Sequence, residues 1–277
     1  DMTISALISI DMEGISGIVD TDQTNRYRGQ DYQHMRNIMT LEGNAAIEGC
    51  FEGGADRVLI ADSHGSFRNL LPDLIDPRAE LITGAPRPLC MMEGADQNID
   101  IALCIGYHNR PGEPGVLSHT IRGSSVIQNI FINNIPASEF DLNLGIAGQY
   151  NVPIGLISGD TDIIREAKKS IPNIIGVSVK EAISTHSAIS LSPQNACELI
   201  KKSSKECLEN YSIFKPKIYE NVKLSVEFSN DLMADLACYI PEIQRENRKT
   251  ISYESDDFVS AFKLIYATIL LAGTLTN

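Results

Sequence analysis

The first two thirds of the sequence alternate between short apolar runs and longer segments with helical spacing, and this alternation constrains the fold most. The apolar runs are too short for buried helices and end at glycine or polar residues, so they predict buried strands at 6–10, 57–61, 99–105, 152–158 and 174–179. Between the first two, apolar residues from 35 to 50 recur at helical spacing and stop at Gly53 and Gly54. Strands that alternate with helices predict an α/β fold with a largely parallel sheet flanked by helices.

The segments between and after these strands complete the predicted order of elements. The run 125–135 alternates and contains Asn133-Asn134, which indicates a hairpin arm or an edge strand. Ser138 is a candidate N-cap for a helix that runs to about residue 150. A further helix is predicted at 165–170.

The pattern changes near residues 185–192, where Ser192-Pro193 is a typical helix start. Beyond it the sequence predicts, in order, a strand at 223–228, a helix from Ala234, a strand at 249–253 and a last helix at 258–272. We therefore predict two domains, an α/β metal-binding catalytic domain of residues 2–188 and a smaller α+β C-terminal domain of residues 189–277.

Composition narrows the classes of partner. The 277 residues are 43% hydrophobic, enough for a sizeable core, and the formal net charge of −13 repels phosphate backbones, so we expect no nucleic-acid partner. The six cysteines form no C-x-x-C pair, which favours free thiols in a reducing compartment. The sequence has no signal-peptide pattern and no apolar run of about 18 residues, so we expect a cytoplasmic protein without a membrane partner.

Metal-binding side chains follow the first three predicted strands. Asp11 and Glu13 come directly after the first strand, His64 after the second and His108 after the third. Ligands of open parallel sheets bind beyond the carboxyl ends of the strands. The four side chains are therefore expected to meet at one edge of the sheet.

The alternative for Asp11 and Glu13 is a helix N-cap followed by an acidic first turn. Two carboxylates two residues apart can instead point to the same side, where their repulsion is relieved by a cation. The two histidines favour the metal site over the cap. A mixed set of carboxylates and imidazoles suits zinc, with manganese and cobalt as rivals, and a site without cysteine is typical of catalysis rather than structure.

Two further residues are candidates on weaker local grounds. Glu139 follows the N-cap candidate Ser138, where a carboxylate is commonly a partner of the helix dipole. His119 lies in a loop after a segment rich in proline and glycine. A loop histidine is a candidate general acid or base, and the alternative is a structural residue.

The segments that carry these residues resemble the zinc-dependent D-aminopeptidases, peptidase family M55. Ser9-Ile10-Asp11-Met12-Glu13-Gly14 is similar to the S-x-D-x-E-G signature that opens this family. The resemblance continues, in the same order, through Asp62-Ser63-His64, Gly106-Tyr107-His108, Gly115-Val116-Leu117-Ser118-His119, and Ile132-Asn133-Asn134 with Glu139. It covers nearly the whole chain.

The resemblance implies two zinc ions per subunit, with Asp11 bridging them. Glu13 and His64 would complete one site, and His108 and Glu139 the other, while His119 matches the family's active-site residue. It also implies a ring-shaped homo-oligomer, a decamer, that removes an N-terminal D-residue such as D-alanine from short peptides. Specificity would be set by the segments between the motifs, notably 21–32 and 110–114.

Our hypothesis for the chemistry is hydrolysis by a water that two metal ions activate. His119 would act as acid or base rather than as the nucleophile, since the metal ions already supply one. Glu13, Glu139 or Asp62 could bind the substrate's α-ammonium group. Two alternatives remain, a metal-dependent hydrolase of another amide or a phosphoester, and a non-catalytic metal-binding protein.

Overall fold

The computed structural model of the chain describes residues 3–276. The strands are β1 Ser5–Ile10, β2 Arg57–Asp62, β3 Glu80–Ile82, β4 Ile101–Tyr107, β5 Ile127–Ile132, β6 Ile135–Pro136, β7 Ile154–Asp160, β8 Ile175–Ser184, β9 Ser187–Ser190, β10 Val222–Phe228, β11 Gln244–Arg245 and β12 Thr250–Ser255. The α-helices are α1 Gln30–Glu52, α2 Glu139–Gln149, α3 Thr161–Ser170, α4 Pro193–Glu209, α5 Asp231–Ala237 and α6 Phe258–Gly273.

Seven strands form one sheet in the order β3-β2-β1-β4-β7-β8-β9. Every pair in it is parallel except β8 with β9, so the predicted α/β class with a largely parallel sheet is confirmed. The central strands alternate between two apolar cores, because successive side chains point to opposite faces. Ala6, Ile8 and Ile10 pack with α1 and α4, whereas Leu7 faces the side that α2 and α3 cover.

The other five strands form an antiparallel sheet in the order β11-β12-β10-β5-β6. Together with α5 and α6 it makes up the smaller α+β part of the fold. Two of its strands, β5 and β6, come from the middle of the chain. Helix α4, which follows residue 188, packs instead on α1, which covers one face of the seven-stranded sheet. The domain boundary at residues 188 and 189 stays a prediction, and the two sheets follow a different division of the chain.

Local capping explains where the helices begin. Ser138 caps α2 as predicted, and its hydroxyl accepts a hydrogen bond from the Asp141 amide. Helix α3 begins at Thr161 rather than 165, because the Asp160 side chain caps it. Asn230 likewise starts α5 at Asp231. The predicted hairpin is present between β5 and β6.

Helix α6 and the turn after it, Phe258–Thr276, are long and apolar enough to cross a membrane by length and composition, with a hydropathy of 1.8 over the most apolar stretch. Half of that stretch is buried inside the protein. The helix packs against α2, α5, β10 and β12, as a core helix does. The absence of a membrane partner stays a prediction.

Candidate metal centre

Three adjacent strands and one helix bring the predicted site residues together. β1 lies between β2 and β4, so Asp11 after β1, His64 after β2 and His108 after β4 end side by side at the carboxyl edge. Glu139 enters from the first turn of α2. The predicted convergence of these side chains, with Glu13, is thus observed.

The nitrogen and oxygen atoms of this cluster lie close to one another. His64 Nδ1 is 2.9 Å from Glu13 Oε2 and 3.3 Å from Asp11 Oδ1. His108 Nε2 is 3.2 Å from Asp11 Oδ2 and 3.3 Å from Glu139 Oε2. The two oxygens of Asp11 therefore face different histidines.

Backbone carbonyl groups fix the protonation pattern of the histidine rings. His64 Nε2 is 2.8 Å from the Thr24 carbonyl oxygen, and His108 Nδ1 is 3.0 Å from that of Asn109. Because a carbonyl oxygen can only accept, both nitrogens must carry a proton. With a metal bound, the other nitrogen of each ring is left unprotonated and would present its lone pair to the ion, as metal-binding histidines do.

His119 stands at the outer side of the cluster. Its ring stacks on that of His108 with centroids 4.2 Å apart, and its Nε2 is 3.9 Å from Glu139 Oε1. Nδ1 donates to the Leu117 carbonyl at 2.8 Å, so Nε2 faces the site. The His119 side chain is 25% exposed, against 1% for His108, which leaves it the more accessible to a substrate.

The cluster contains buried polar atoms that hydrogen bonds do not satisfy. Within residues 3–276, Asp11 Oδ2, Glu13 Oε2 and His108 Nε2 are buried without a hydrogen-bond partner. Burying such atoms unpaired is costly. Two ligand atoms on one tetrahedral zinc, with bonds of about 2.0–2.1 Å, are about 3.3 Å apart, close to the separations found here. The residues therefore fit a zinc centre.

Ligand atoms of two overlapping triads lie within 4.8 Å of one another, Asp11 with Glu13 and His108, and His108 with His119 and Glu139. His64 is outside both triads but contacts Asp11 and Glu13 directly. The grouping brings His119 near enough to be considered a ligand. We assign His119 no metal-binding role, because its Nε2 is 3.9 Å from the nearest Glu139 oxygen, whereas His108 Nε2 is 3.3 Å from one.

Burial and neighbouring charges both shift the pKa values of the cluster. Burial and the neighbouring Glu13 carboxylate raise the pKa of Asp11. Burial alone would lower the pKa of His64, but Glu13 and Asp11 outweigh it and raise that pKa well above its usual range. The same balance, with Glu139 and Asp11 as partners, raises the pKa of His108. Three carboxylates and two imidazoles are thus strongly coupled through their charges.

Two glycines allow the loops that carry these ligands to approach. A Cβ atom on Gly14 would lie 2.1 Å from the Tyr107 carbonyl oxygen, and one on Gly106 would lie 2.3 Å from that of Asp11. Gly106 also has a φ of 72°, in the left-handed region. The glycine that follows Glu13 in the sequence motif is therefore required by the close contact of the β1 and β4 loops.

The structure also separates Asp62 from the site. Its carboxylate is buried and accepts hydrogen bonds from the Asn69 amide at 2.5 Å, the Asn69 side chain at 2.8 Å and the Leu70 amide at 2.7 Å. These bonds occupy both oxygens. Of the carboxylates considered for the substrate's ammonium group, Asp62 is therefore already used for structure.

Lys180 was not a candidate from the sequence, although it makes three hydrogen bonds to the loop that follows β1, residues 11–18. Its buried ammonium group donates to the carbonyl oxygens of Glu13 at 2.5 Å, Ile15 at 2.9 Å and Ile18 at 2.6 Å. Burial lowers its pKa to about 8. A lysine directly after the apolar predicted strand at 174–179 was the available signal.

Known proteins share both the sequence pattern and this fold. The sequence profile of the peptidase M55 family, described as D-aminopeptidase, matches residues 4–267. A D-aminopeptidase of Bacillus subtilis (strain 168) is 34% identical over 267 residues, which are 96% of each chain. The solved structure described as Zn-dependent D-aminopeptidase DppA from Bacillus subtilis, a self-compartmentalizing protease, superposes with a TM-score of 0.93 at 33% identity over 98% of both chains.

Proposed function

The chain belongs to the peptidase M55 family of D-aminopeptidases and is a zinc-dependent metallo-aminopeptidase, and we propose that it removes the N-terminal D-residue of short peptides with two zinc ions per subunit. The observation that carries the proposal is the cluster of buried carboxylate and imidazole atoms without hydrogen-bond partners at the carboxyl edge of the parallel sheet. The preference for a D-residue follows the activity by which the relatives are described.

The orientation of Asp11 supports two ions rather than one. One of its oxygens faces His64 and the other faces His108, as a bridging carboxylate would. Glu13 and His64 would hold one zinc, and His108 and Glu139 the other. Each ion would then keep an open position, which is typical of catalytic zinc.

Zinc at this site would supply Lewis acidity and a nucleophilic water at neutral pH. The protein orients the groups around it. Because the Leu117 carbonyl holds His119 Nδ1–H, the ring presents Nε2 towards the site, where it can take up a proton and return it to the leaving amine. His108, stacked on this ring, limits its rotation.

The same reasoning extends to assembly and location. The relative described as self-compartmentalizing supports a ring-shaped homo-oligomer, for which we propose a decamer. All six cysteines are free thiols, which supports a cytoplasmic location. Light scattering during size-exclusion chromatography tests the decamer by the number of chains per particle. Cell fractionation tests the cytoplasmic location.

Metal content and bond specificity test the central proposal together. The purified protein should contain two zinc ions per chain by elemental analysis. With zinc added, it should release nitroaniline from D-alanyl-p-nitroanilide far faster than from the L-compound, and should not hydrolyse p-nitrophenyl phosphate. Phosphate release without amide cleavage, or a protein that binds no zinc, would overturn the proposal.

The role of His119 has its own test. His119→Ala should lower kcat by roughly 10²–10⁴-fold, the usual contribution of a general acid or base, without changing the zinc content. His186→Ala is the matched control, since His186 is an exposed histidine that pairs with Asp20. A covalent acyl-histidine trapped in a single turnover would contradict the acid–base role.

A further inference from the structure

We propose that four buried polar side chains on the core side of the metal centre, Ser9, Ser63, Tyr107 and Asn143, form a positioning network that sets the spacing of the metal ligands. The inference rests on the proposed zinc site. It adds a group of residues that touch neither the metal nor the substrate. None of them was a candidate site residue from the sequence.

Tyr107 and Ser9 are the centre of the network. Asn143 Nδ2 donates to the Tyr107 hydroxyl at 2.7 Å, and that hydroxyl is 2.7 Å from Ser9 Oγ. Ser9 Oγ donates to the Met91 carbonyl at 2.6 Å and lies 2.8 Å from Ser63 Oγ. Asn143 can only donate through its nitrogen, so the hydrogen bonds run in one direction, from Asn143 through Tyr107 and Ser9 to Met91.

Each member lies in, or directly after, an element that positions a metal ligand. Ser63 directly precedes His64, and Tyr107 directly precedes His108. Ser9 lies two residues before Asp11, hence on the same side of the extended β1 strand. Asn143 lies four residues after Glu139 in α2, hence on the same face of the helix. One network thus joins β1, β2, β4 and α2 immediately behind the ligands they carry.

The network is polar where an apolar core would suffice for stability. Tyr107 and Ser9 are fully buried, Asn143 is 2% exposed and Ser63 4%, and their neighbours on this side include Leu7, Ala61 and Cys104. Buried polar groups stabilise only when every partner is in place. The bonds therefore favour one arrangement of the three strands and the helix, the one that brings the ligands to contact distance.

Zinc affinity of the metal-stripped full-length protein, measured by competition with a chromogenic chelator, tests the proposal without relying on activity. Tyr107→Phe and Ser9→Ala should each raise the zinc dissociation constant roughly 10–100-fold, as supporting residues of metal sites do. Ser252→Ala is the matched control. Ser252 is also fully buried and hydrogen-bonded, to Glu246, but it lies in the five-stranded sheet, so the zinc affinity of this variant should not change.

The double variant Tyr107→Phe, Asn143→Leu separates positioning from mere stability. Replacing both partners by apolar groups removes the unsatisfied donor, so thermal stability should recover relative to Tyr107→Phe alone. Zinc affinity should stay low. Folded variants that bind zinc as tightly as the wild type would overturn the inference and leave the proposed function standing. A wild-type protein that binds no zinc would instead overturn the proposed function.

Discussion

The five-stranded sheet and the carboxyl edge of the seven-stranded sheet bury very different side chains. The inner face of the five-stranded sheet is apolar along β10, where Val222, Leu224, Val226 and Phe228 are fully buried. The seven-stranded sheet buries carboxylates and imidazoles at its carboxyl edge. Among residues 3–276, the buried polar side-chain atoms without partners all lie outside the five-stranded sheet, α5 and α6.

This difference separates the source of stability from the source of chemistry. Apolar burial stabilises the fold wherever it occurs, whereas unsatisfied polar atoms reduce stability unless a ligand completes them. We infer that the apolar cores, which include the five-stranded sheet and its helices, stabilise the fold, and that the polar edge of the seven-stranded sheet reduces this stability when no metal is bound. A substitution at the polar edge should therefore lower the zinc affinity but not the stability of the metal-free protein. A substitution in the five-stranded sheet should lower the stability but not the zinc affinity.

The largest expected effect is that of Asp11→Asn. Loss of this central carboxylate should lower zinc affinity and kcat/KM by more than the roughly 10–100-fold cost typical of supporting residues. The metal-free variant should be at least as stable as the metal-free wild type, because a neutral amide at this position would not repel Glu13 and Glu139. Calorimetry with and without zinc measures both quantities.

Asp73→Asn is the control for this substitution, since Asp73 is exposed and takes part in none of the contacts of the cluster. It should leave zinc affinity and the zinc-dependent rise in Tm unchanged. A metal-free Asp11→Asn protein that is clearly less stable than the wild type would show that the polar edge contributes stability and would break the comparison.

Leu224→Ala should show the opposite profile. Leu224 is fully buried between Ile132 and Tyr253 of the neighbouring strands, and its truncation should lower the free energy of unfolding by about 2–5 kcal/mol. Zinc affinity per folded molecule should not change. Leu232→Ala, at a 59% exposed position, should change the stability by no more than about 0.5 kcal/mol. A marked loss of zinc affinity in Leu224→Ala would show that the two sheets are coupled.

A smaller effect is expected from pH. Burial raises the pKa of Glu42, whose carboxylate accepts from the Ser16 amide, to about 7. A folded-state pKa above the unfolded value gives stability that is present below the unfolded pKa of about 4.3 and is lost as the pH rises through about 7. The metal-free wild type should therefore lose about 3 kcal/mol relative to Glu42→Gln between about pH 4.5 and pH 8, at about 1.4 kcal/mol per pKa unit.

Glu246, in the turn between β11 and β12, should show a pH dependence of the opposite sign. Its hydrogen bond to Lys223 lowers its pKa, so its contribution is present above the unfolded pKa and is lost as the pH falls through the folded one. Urea titrations from about pH 3 to pH 8 should show Glu42→Gln gaining stability over the wild type above about pH 4.5, and Glu246→Gln losing stability relative to the wild type as the pH rises to about 4.5. Parallel curves for the two variants would contradict the assignment.

The sequence predicted the metal centre better than the path of the chain. Asp11, Glu13, His64 and His108 follow strands whose carboxyl ends share an edge in any parallel sheet, so local patterns were enough to bring them together. Glu139 was implied only by the family resemblance, because one carboxylate at a helix start is common. Its place beside His108 depends on how α2 packs over the sheet.

Features that depend on contacts distant in sequence were not predictable. β5 pairs with β10, about ninety residues later, and nothing in either segment specifies that partner. The hold of Lys180 on Glu13 spans 167 residues. Short edge strands such as β3 and β9 carry too few residues for a periodic pattern. Such pairings are decided by the packing of the whole chain.

The hydrogen bond from His64 to the Thr24 carbonyl links the metal centre to the exposed loop that contains Arg26 and Arg28. A metal that fixes the His64 ring favours the loop conformation that offers this carbonyl, and by thermodynamic reciprocity the ordered loop favours the metal by the same free energy. Cleavage by trypsin after these arginines should therefore slow when zinc is present. The rate of proteolysis in this loop would then measure the fraction of the protein that has zinc bound.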